Sequence, residues 1–428
     1  MTVSRSGSKK FLTGWLIVIG CMLIQAVPFS VASNIQPQFM DYVVNGEGFT
    51  VAGFSLLFTL STIIGAIASP MIGKMYSKYN PKILFIVGAI LSGLGFMSFG
   101  LADSLWQFYI IGGITQIGTA VISSIGVPLL INNWFAEELK GKALGLAFAG
   151  GAFGNMFLQQ MTAISLMNFG HSKSYFIFGG LSLAVSIPVV LFILRMPKGD
   201  SEIVKSKKHE DVNKEKAVDI SYTFAEVKNM KYYWMYAIGF ILIGLYVSAV
   251  MVQYPGYLKS AGLAPALVGS VGATIAAFSL MGNLIGGTLF DKFGVTKCII
   301  MAGIAATTGG VLLLVSSSNL ILAFGFAAFF GIAIFSYIMG IAYMTGVFFG
   351  KKEYGTILGI TNLMFAVGFA FGSSLFGGIV QKFGYNVTWS IVIILIISAY
   401  TLIVLTSIGM KKLNEKRIIE FRAKNEIV

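Results

Sequence analysis

Twelve stretches of about 20 mostly apolar residues, each long enough to cross the hydrocarbon layer of a bilayer, run through this chain. They lie at 11–35, 49–72, 82–101, 104–131, 143–166, 174–196, 232–255, 265–290, 297–316, 319–347, 355–380 and 387–410. Glycine, proline or charge clusters separate most of them. In lipid a segment has to satisfy its own backbone N–H and C=O groups, so each stretch is expected as a helix. Only 11% of the 428 residues are charged and 56% are hydrophobic. A soluble domain is about 25% charged, so a multidomain soluble protein is excluded. The 51 glycines and 36 phenylalanines suit helices that pack closely and present rings to acyl chains.

The second half repeats landmarks of the first at a constant offset of 214 positions (287 − 73). Gly73 and Ser77 fall on Gly287 and Asp291, Gly141 and Gly145 on Gly355 and Gly359, and Gly154 on Gly368. Phe135 falls on Phe349, and Phe169-Gly170 on Phe383-Gly384. The expected fold is therefore all-α integral membrane, with twelve transmembrane helices in two six-helix bundles related by pseudo-two-fold symmetry. The bundles would occupy 1–196 and 231–410, joined by a linker at 197–230 and followed by a tail at 411–428. A membrane half used twice is the signature of a secondary transporter.

Lys and Arg orient the chain. Of the 30 basic residues, only Lys173, Lys259 and Lys382 fall on one side, which otherwise shows Asp41, Glu47 and Asp103. The other side holds both termini, the linker, and the loops with Lys74, Lys78, Lys82, Lys140, Lys142, Lys292, Lys297, Lys351 and Lys352. Both termini are thus expected in the cytoplasm and the protein in the plasma (inner) membrane. The formal charge of +13 is a topogenic signal and not a nucleic-acid footprint. The segment 11–35 is too long for a signal-peptide core and reads as a retained span. Cys21 and Cys298 lie in apolar segments and read as small core residues. His171 and His209 read as solvated loop residues without metal-ligand spacing. No cofactor or metal is expected, nor a Walker loop that would make ATP the driver.

The linker alternates Lys205, Lys207, Lys208, Lys214 and Lys216 with Glu202, Glu210, Asp211, Glu215 and Asp219, a mixed-charge pattern expected to be flexible. It ends in Thr223-Phe-Ala-Glu226, the spacing of a capping box, so a short helix is expected before span seven. The tail, with Lys411, Lys412, Lys416, Arg417, Arg422 and Lys424, is expected as a helix lying on the inner leaflet, in contact with anionic lipid.

Between spans eight and nine runs Gly287-Thr-Leu-Phe-Asp291-Lys292-Phe293-Gly294-Val-Thr-Lys297. With the layout of six spans, loop, six spans, this resembles the major facilitator superfamily. The resemblance implies rocking of the two halves about a central cavity, with Gly287, Asp291 and Lys292 in a gate. The first-half counterpart, Gly73, Ser77 and Lys78, has a serine in place of the acid. Within the superfamily, Asn133-Trp134-Phe135 with Lys140-Gly141-Lys142, and Tyr222-Thr223-Phe-Ala-Glu226, resemble the oxalate/formate antiporter and monocarboxylate transporter group. That group places basic residues inside the C-terminal half. Here Ala264 to Phe290 and Tyr354 to Gln381 contain no Lys, Arg or His, and no span has an acid or base near its middle. A multiply charged anion should therefore bind poorly.

What remains for a substrate is neutral. Spans one, four, seven and ten would line the cavity by the resemblance. The expected contacts are Gln25 and Asn34 in span one, with Pro28, Ser30 and Ser33; Gln116 in span four, on one face with Thr119 and Ser123; Tyr246 in span seven; and Tyr337 and Tyr343 in span ten. Asn155 and Gln159, Asn283, and Asn362 join from spans five, eight and eleven. Each can equally be a hydrogen bond between helices. Gly141, Gly145, Gly150, Gly151 and Gly154 form a small-residue stripe, echoed by Gly355, Gly359 and Gly368, expected to pack helices across the two-fold axis or to let the halves rock. The expected function is secondary transport of a small organic solute, a monocarboxylate-like anion, as antiporter or symporter and as a monomer. The alternatives are drug efflux and, further off, a non-transporting sensor. No catalytic constellation supports an enzyme.

Overall fold

The computed structural model describes residues 2–199, 202–204, 221–316 and 319–425. Linker residues 205–220, His209 among them, lie outside the described residues. The chain divides into two compact units, Met1–Lys205 and Ser206–Val428.

In the first unit, span one is a helix Thr2–Ile24 that widens into a π-helix Gln25–Asn34 around Pro28. Span two is Val51–Lys78 and span three Pro81–Ser98. Span four runs Leu105–Thr119, then a π segment Ala120–Ile125, then Gly126–Trp134. Spans five and six share one helix, Glu137–Pro188, reversed at Gly170, where φ is 72°. In the second unit, span seven is a regular helix, Lys231–Ser260. Spans eight and nine share Pro265–Val315, reversed at Gly294 with φ 75°. Span ten is Leu320–Ala333, Phe335–Ile338 and Gly340–Phe349, and spans eleven and twelve share Tyr354–Asn425, reversed at Gly384. Among the described residues, ten helical segments are long and apolar enough to cross a membrane, and dividing two of them at Gly170 and Gly294 yields the twelve spans. At these φ values a side chain would be strained, so glycine makes the hairpin without a loop. The first-half counterpart of Gly294 is Asn80, which solves the same turn differently. Its side chain accepts from Lys82 N at 2.9 Å and Pro81 opens the next helix.

Glycines of each stripe pack closely on a neighbouring span of their own unit. A Cβ on Gly150 would meet the Met22 carbonyl and one on Gly154 the Ala26 carbonyl, both in span one. A Cβ on Gly368 would meet the Ile241 carbonyl and one on Gly372 that of Leu245, both in span seven. Span five therefore lies backbone-to-backbone on span one, and span eleven on span seven. The turns around residues 36–50, 99–105 and 170–175 close over an aromatic core of Phe39, Phe96, Phe99, Phe108, Phe178 and Tyr175. There His171 is not a solvated residue, because its Nε2 lies 3.0 Å from Glu47 Oε1 and ties the short helix Met40–Glu47 to the span five–six hairpin.

Both ends of the linker dock on the equivalent loop of their own unit. In the first, Val204 N donates to Trp134 O (2.8 Å) and Ala136 N to Val204 O (3.0 Å). Arg195 stacks 4.8 Å over the Trp134 ring and donates to both Glu202 oxygens at 2.7 and 3.2 Å. That charge-assisted pair holds the Glu202 carboxyl down at about 2. In the second unit, Tyr222 N donates to Phe349 O at 3.0 Å, and Phe349 is the repeat of Phe135. The capping box forms: Thr223 Oγ1 accepts from Glu226 N and Glu226 Oε2 from Thr223 N. Hydrogen bonds from Thr223, and then Arg417, lower the Glu226 carboxyl. The tail departs from expectation. It continues the span twelve helix without a break and does not start a separate helix on the leaflet. Its Asn414 Oδ1 accepts from Tyr222 OH (2.8 Å), and Arg417 pairs with Glu226 at 3.1 Å over the Tyr222 ring. Packing on the linker end keeps the helix going where an amphipathic pattern alone would have let it lie in the interface.

Candidate functional site

The π turn of span one gathers the polar residues of the first unit. A π-helix has one extra residue per turn, which opens the i to i+4 ladder and turns side chains away from the face that a regular helix would give them. Ser123 Oγ, itself in the π segment of span four, donates to Gln25 Oε1 at 2.9 Å. The Ser30 hydroxyl lies 3.1 Å from the Gln25 carbonyl and 3.2 Å from that of Gly151. Asn34 Nδ2 donates to Ser30 Oγ at 3.1 Å, while Gln159 Nε2 lies 3.1 Å from both Asn34 O and Asn155 Oδ1. Spans one, four and five are thus joined by one neutral string from Ser123 to Asn155. Gln25 is 1% exposed, and its Nε2 has no partner. Leaving a buried donor unmade costs about 1–3 kcal/mol.

The single face read for span four does not survive. Gln116 packs its Cγ against Gly65 of span two, Thr119 pairs with Ser92 of span three (3.0 Å), and Ser123 turns to span one. The π segment, which follows Thr119, rotates the later residues away from the earlier ones.

The second unit assembles hydroxyls. Tyr400 OH of span twelve lies 3.2 Å from Tyr246 OH and 2.7 Å from Ser336 Oγ. Tyr337 stacks on Phe365 and Tyr343 on Phe290, with centroids 5.9 and 4.7 Å apart. Asn283 is 2% exposed, with its Oδ1 unpartnered, and Asn362 is half-buried. Tyr400 and Ser336 were missed from the sequence, although a tyrosine in the middle of span twelve is itself a signal. Asn132 was missed too; it is fully buried with neither amide atom partnered. Gly73 and Gly287 are buried, Ser77 and Lys78 exposed, and Lys292 lies 5.4 Å over Phe293.

A family model described as Major Facilitator Superfamily matches residues 14–372 and, again, 236–423. The chain belongs to the major facilitator superfamily. It is therefore a multi-pass secondary transporter of small-molecule substrates and not an enzyme. Similar proteins in the superfamily include the MFS-type transporter YhjX of Escherichia coli K12, 26% identical over 83% of this chain and 86% of its own. The MFS-type transporter pynF of Aspergillus niger is 23% identical over 72% and 68%. The multidrug resistance protein MdtG of Escherichia coli is 22% identical over 73% of this chain and 65% of its own length. Among solved structures, the superfamily transporter FucP in the outward conformation aligns with a TM-score of 0.70 at 15% identity, covering 94% of this chain and 99% of that one. A bacterial homologue of the iron transporter ferroportin gives 0.70 at 12%, covering 93% and 99%.

Proposed function

We propose that this transporter carries a monocarboxylate-like anion by alternating access, with the string around span one as its recognition surface. The observation behind this reading is the unpartnered Gln25 Nε2, a buried donor on a neutral string, which suits an acceptor such as a carboxylate oxygen. Asn34, Asn155 and Gln159 are half-buried on the same string and supply further amides. Tyr246, Tyr337, Tyr343, Asn283 and Asn362 are the polar candidates of the second unit by themselves, and Gln116 of span four faces Gly65 of span two. With no fixed cation among these groups, a dicarboxylate would be left without countercharge. The loops at Gly73, Ser77 and Lys78 and at Gly287, Asp291 and Lys292 act as gates, with both termini in the cytoplasm and the protein a monomer in the plasma membrane.

Drug efflux is the second reading, supported by the likeness to MdtG. A hydrophobic cation would want an acid in the cavity, and no span carries one near its middle. Proteoliposomes decide between them. Saturable uptake of labelled lactate or formate, with oxalate and lipophilic cations excluded, is the expected result. Saturable oxalate uptake, or transport of a lipophilic cation alone, would overturn the reading.

A further inference from the structure

We propose that the π turn of span one is a sodium site, formed by Ser30 Oγ, the carbonyl oxygens of Gln25 and Gly151, and the side-chain amide of Asn34. No span carries a carboxylate or imidazole near its middle for a coupling proton to ride on. A hard monovalent cation needs oxygens only, and neutral ones serve. Irregular backbone inside a span is where carbonyls become available to such an ion. Here the Ser30 hydroxyl faces two carbonyls, at 3.1 and 3.2 Å, with a single proton to give. Sodium is close to calcium in size, and oxygens about 3.2 Å apart are neighbouring ligands around an ion bound at roughly 2.3–2.6 Å. Asn34 already touches Ser30 Oγ at 3.1 Å through Nδ2, and a half-turn of its amide offers Oδ1 instead. Ser30 is fully buried and Asn34 half-buried, so Asn34 marks the entrance.

The other half of the molecule shows what this turn is for. The repeats of Ser30, Asn34 and Gly151 are Gly244, Ser248 and Phe365. Span seven stays α-helical there, and Gly244 lies so close to the Phe365 carbonyl that a Cβ would strike it. The π turn has opened the equivalent crossing just far enough to seat a hydroxyl among carbonyls. If the substrate is a carboxylate, an ion on this turn also supplies the countercharge that the chain lacks; that step alone rests on the proposed function.

Thermal unfolding of the purified full-length protein, without substrate, tests the site directly. Replacing choline chloride by sodium chloride at fixed ionic strength is expected to raise Tm saturably by a few degrees, with potassium far weaker. Ser30→Ala should abolish the response. Asn34→Asp adds a charged ligand at a half-buried position and should lower the half-saturating sodium concentration by about tenfold. A wild-type Tm equal in sodium, potassium and choline overturns the site, as does a sodium response unchanged in both variants. Carboxylate uptake indifferent to sodium overturns the site while leaving the substrate reading intact. A sodium-dependent Tm lost in Ser30→Ala, with no carboxylate uptake, supports the site and overturns the substrate.

Discussion

Spans one and seven occupy the same place in the repeat and solve it in opposite ways. Span seven is a continuous α-helix whose Gly244 meets span eleven backbone to backbone. Span one spends ten residues as a π-helix, and Ser30 stands between it and span five. The glycine crossings on either side, Gly154 on Ala26 and Gly368 on Ile241, are shared. The scaffold is therefore duplicated, while Gln25, Ser30 and Ser123 of the polar string sit where the helix departs from regular form. Span four and span ten agree in this respect: the breaks at 120–125 and 334–339 are 214 positions apart.

The largest expected effect comes from exchanging the two solutions. Gly244→Ser should drive a side chain into the Phe365 carbonyl and lower Tm by many degrees, or prevent recovery of monodisperse protein. Ser30→Gly should cost only about 1 kcal/mol for lost hydrogen bonds. Equal losses from both would erase the distinction between the spans. Next is Gln25→Leu, which removes an unmade donor. Its KM for the carboxylate should rise roughly tenfold or more, with Tm lower by a few degrees because Ser123 Oγ also loses its acceptor, whereas Tyr246→Phe, inside the hydroxyl cluster of the second unit, should change KM less than about threefold. If Tyr246→Phe has the larger effect on KM, the recognition surface belongs to the second unit.

Smaller effects separate the two linker docks. Arg195→Ala and Arg417→Ala should each lower Tm by a few degrees through a lost ion pair and ring contact. Glu202 is held at about 2 against an ordinary 4.5, so its contribution is complete above about pH 4.5 and fades as the pH falls towards 2. The Tm difference between wild type and Arg195→Ala should shrink over that window. A difference that stays constant down to pH 2 would mean that the Trp134 stacking, and not the carboxylate, holds the dock. Smallest is His171→Gln, where loss of the half-buried Glu47 pair should move Tm by about a degree or less.

Much of this was legible in the chain. The capping box at Thr223 and Glu226, the hairpin glycines Gly170 and Gly384, and the repeat of Gly154 and Gly368 are local signals, and each is met in the structure. Gln25, Ser30, Asn34, Asn155 and Gln159 could be picked out as polar residues in apolar spans, but not as one string. Ser30 and Gly151 are 121 positions apart, and nothing in either segment points to the other. The tail was misread for the same reason: its partners, Tyr222 and Glu226, lie about 190 positions away.

By itself the sequence determined that this chain spans the membrane twelve times in two related halves, because apolar length and turn residues act over a few neighbours. Only the tertiary structure decided where span one leaves the α-helix and which amides then meet. A π turn is stabilised by what its opened backbone touches, here a serine hydroxyl between carbonyls of two spans, and that contact exists only once the spans are packed.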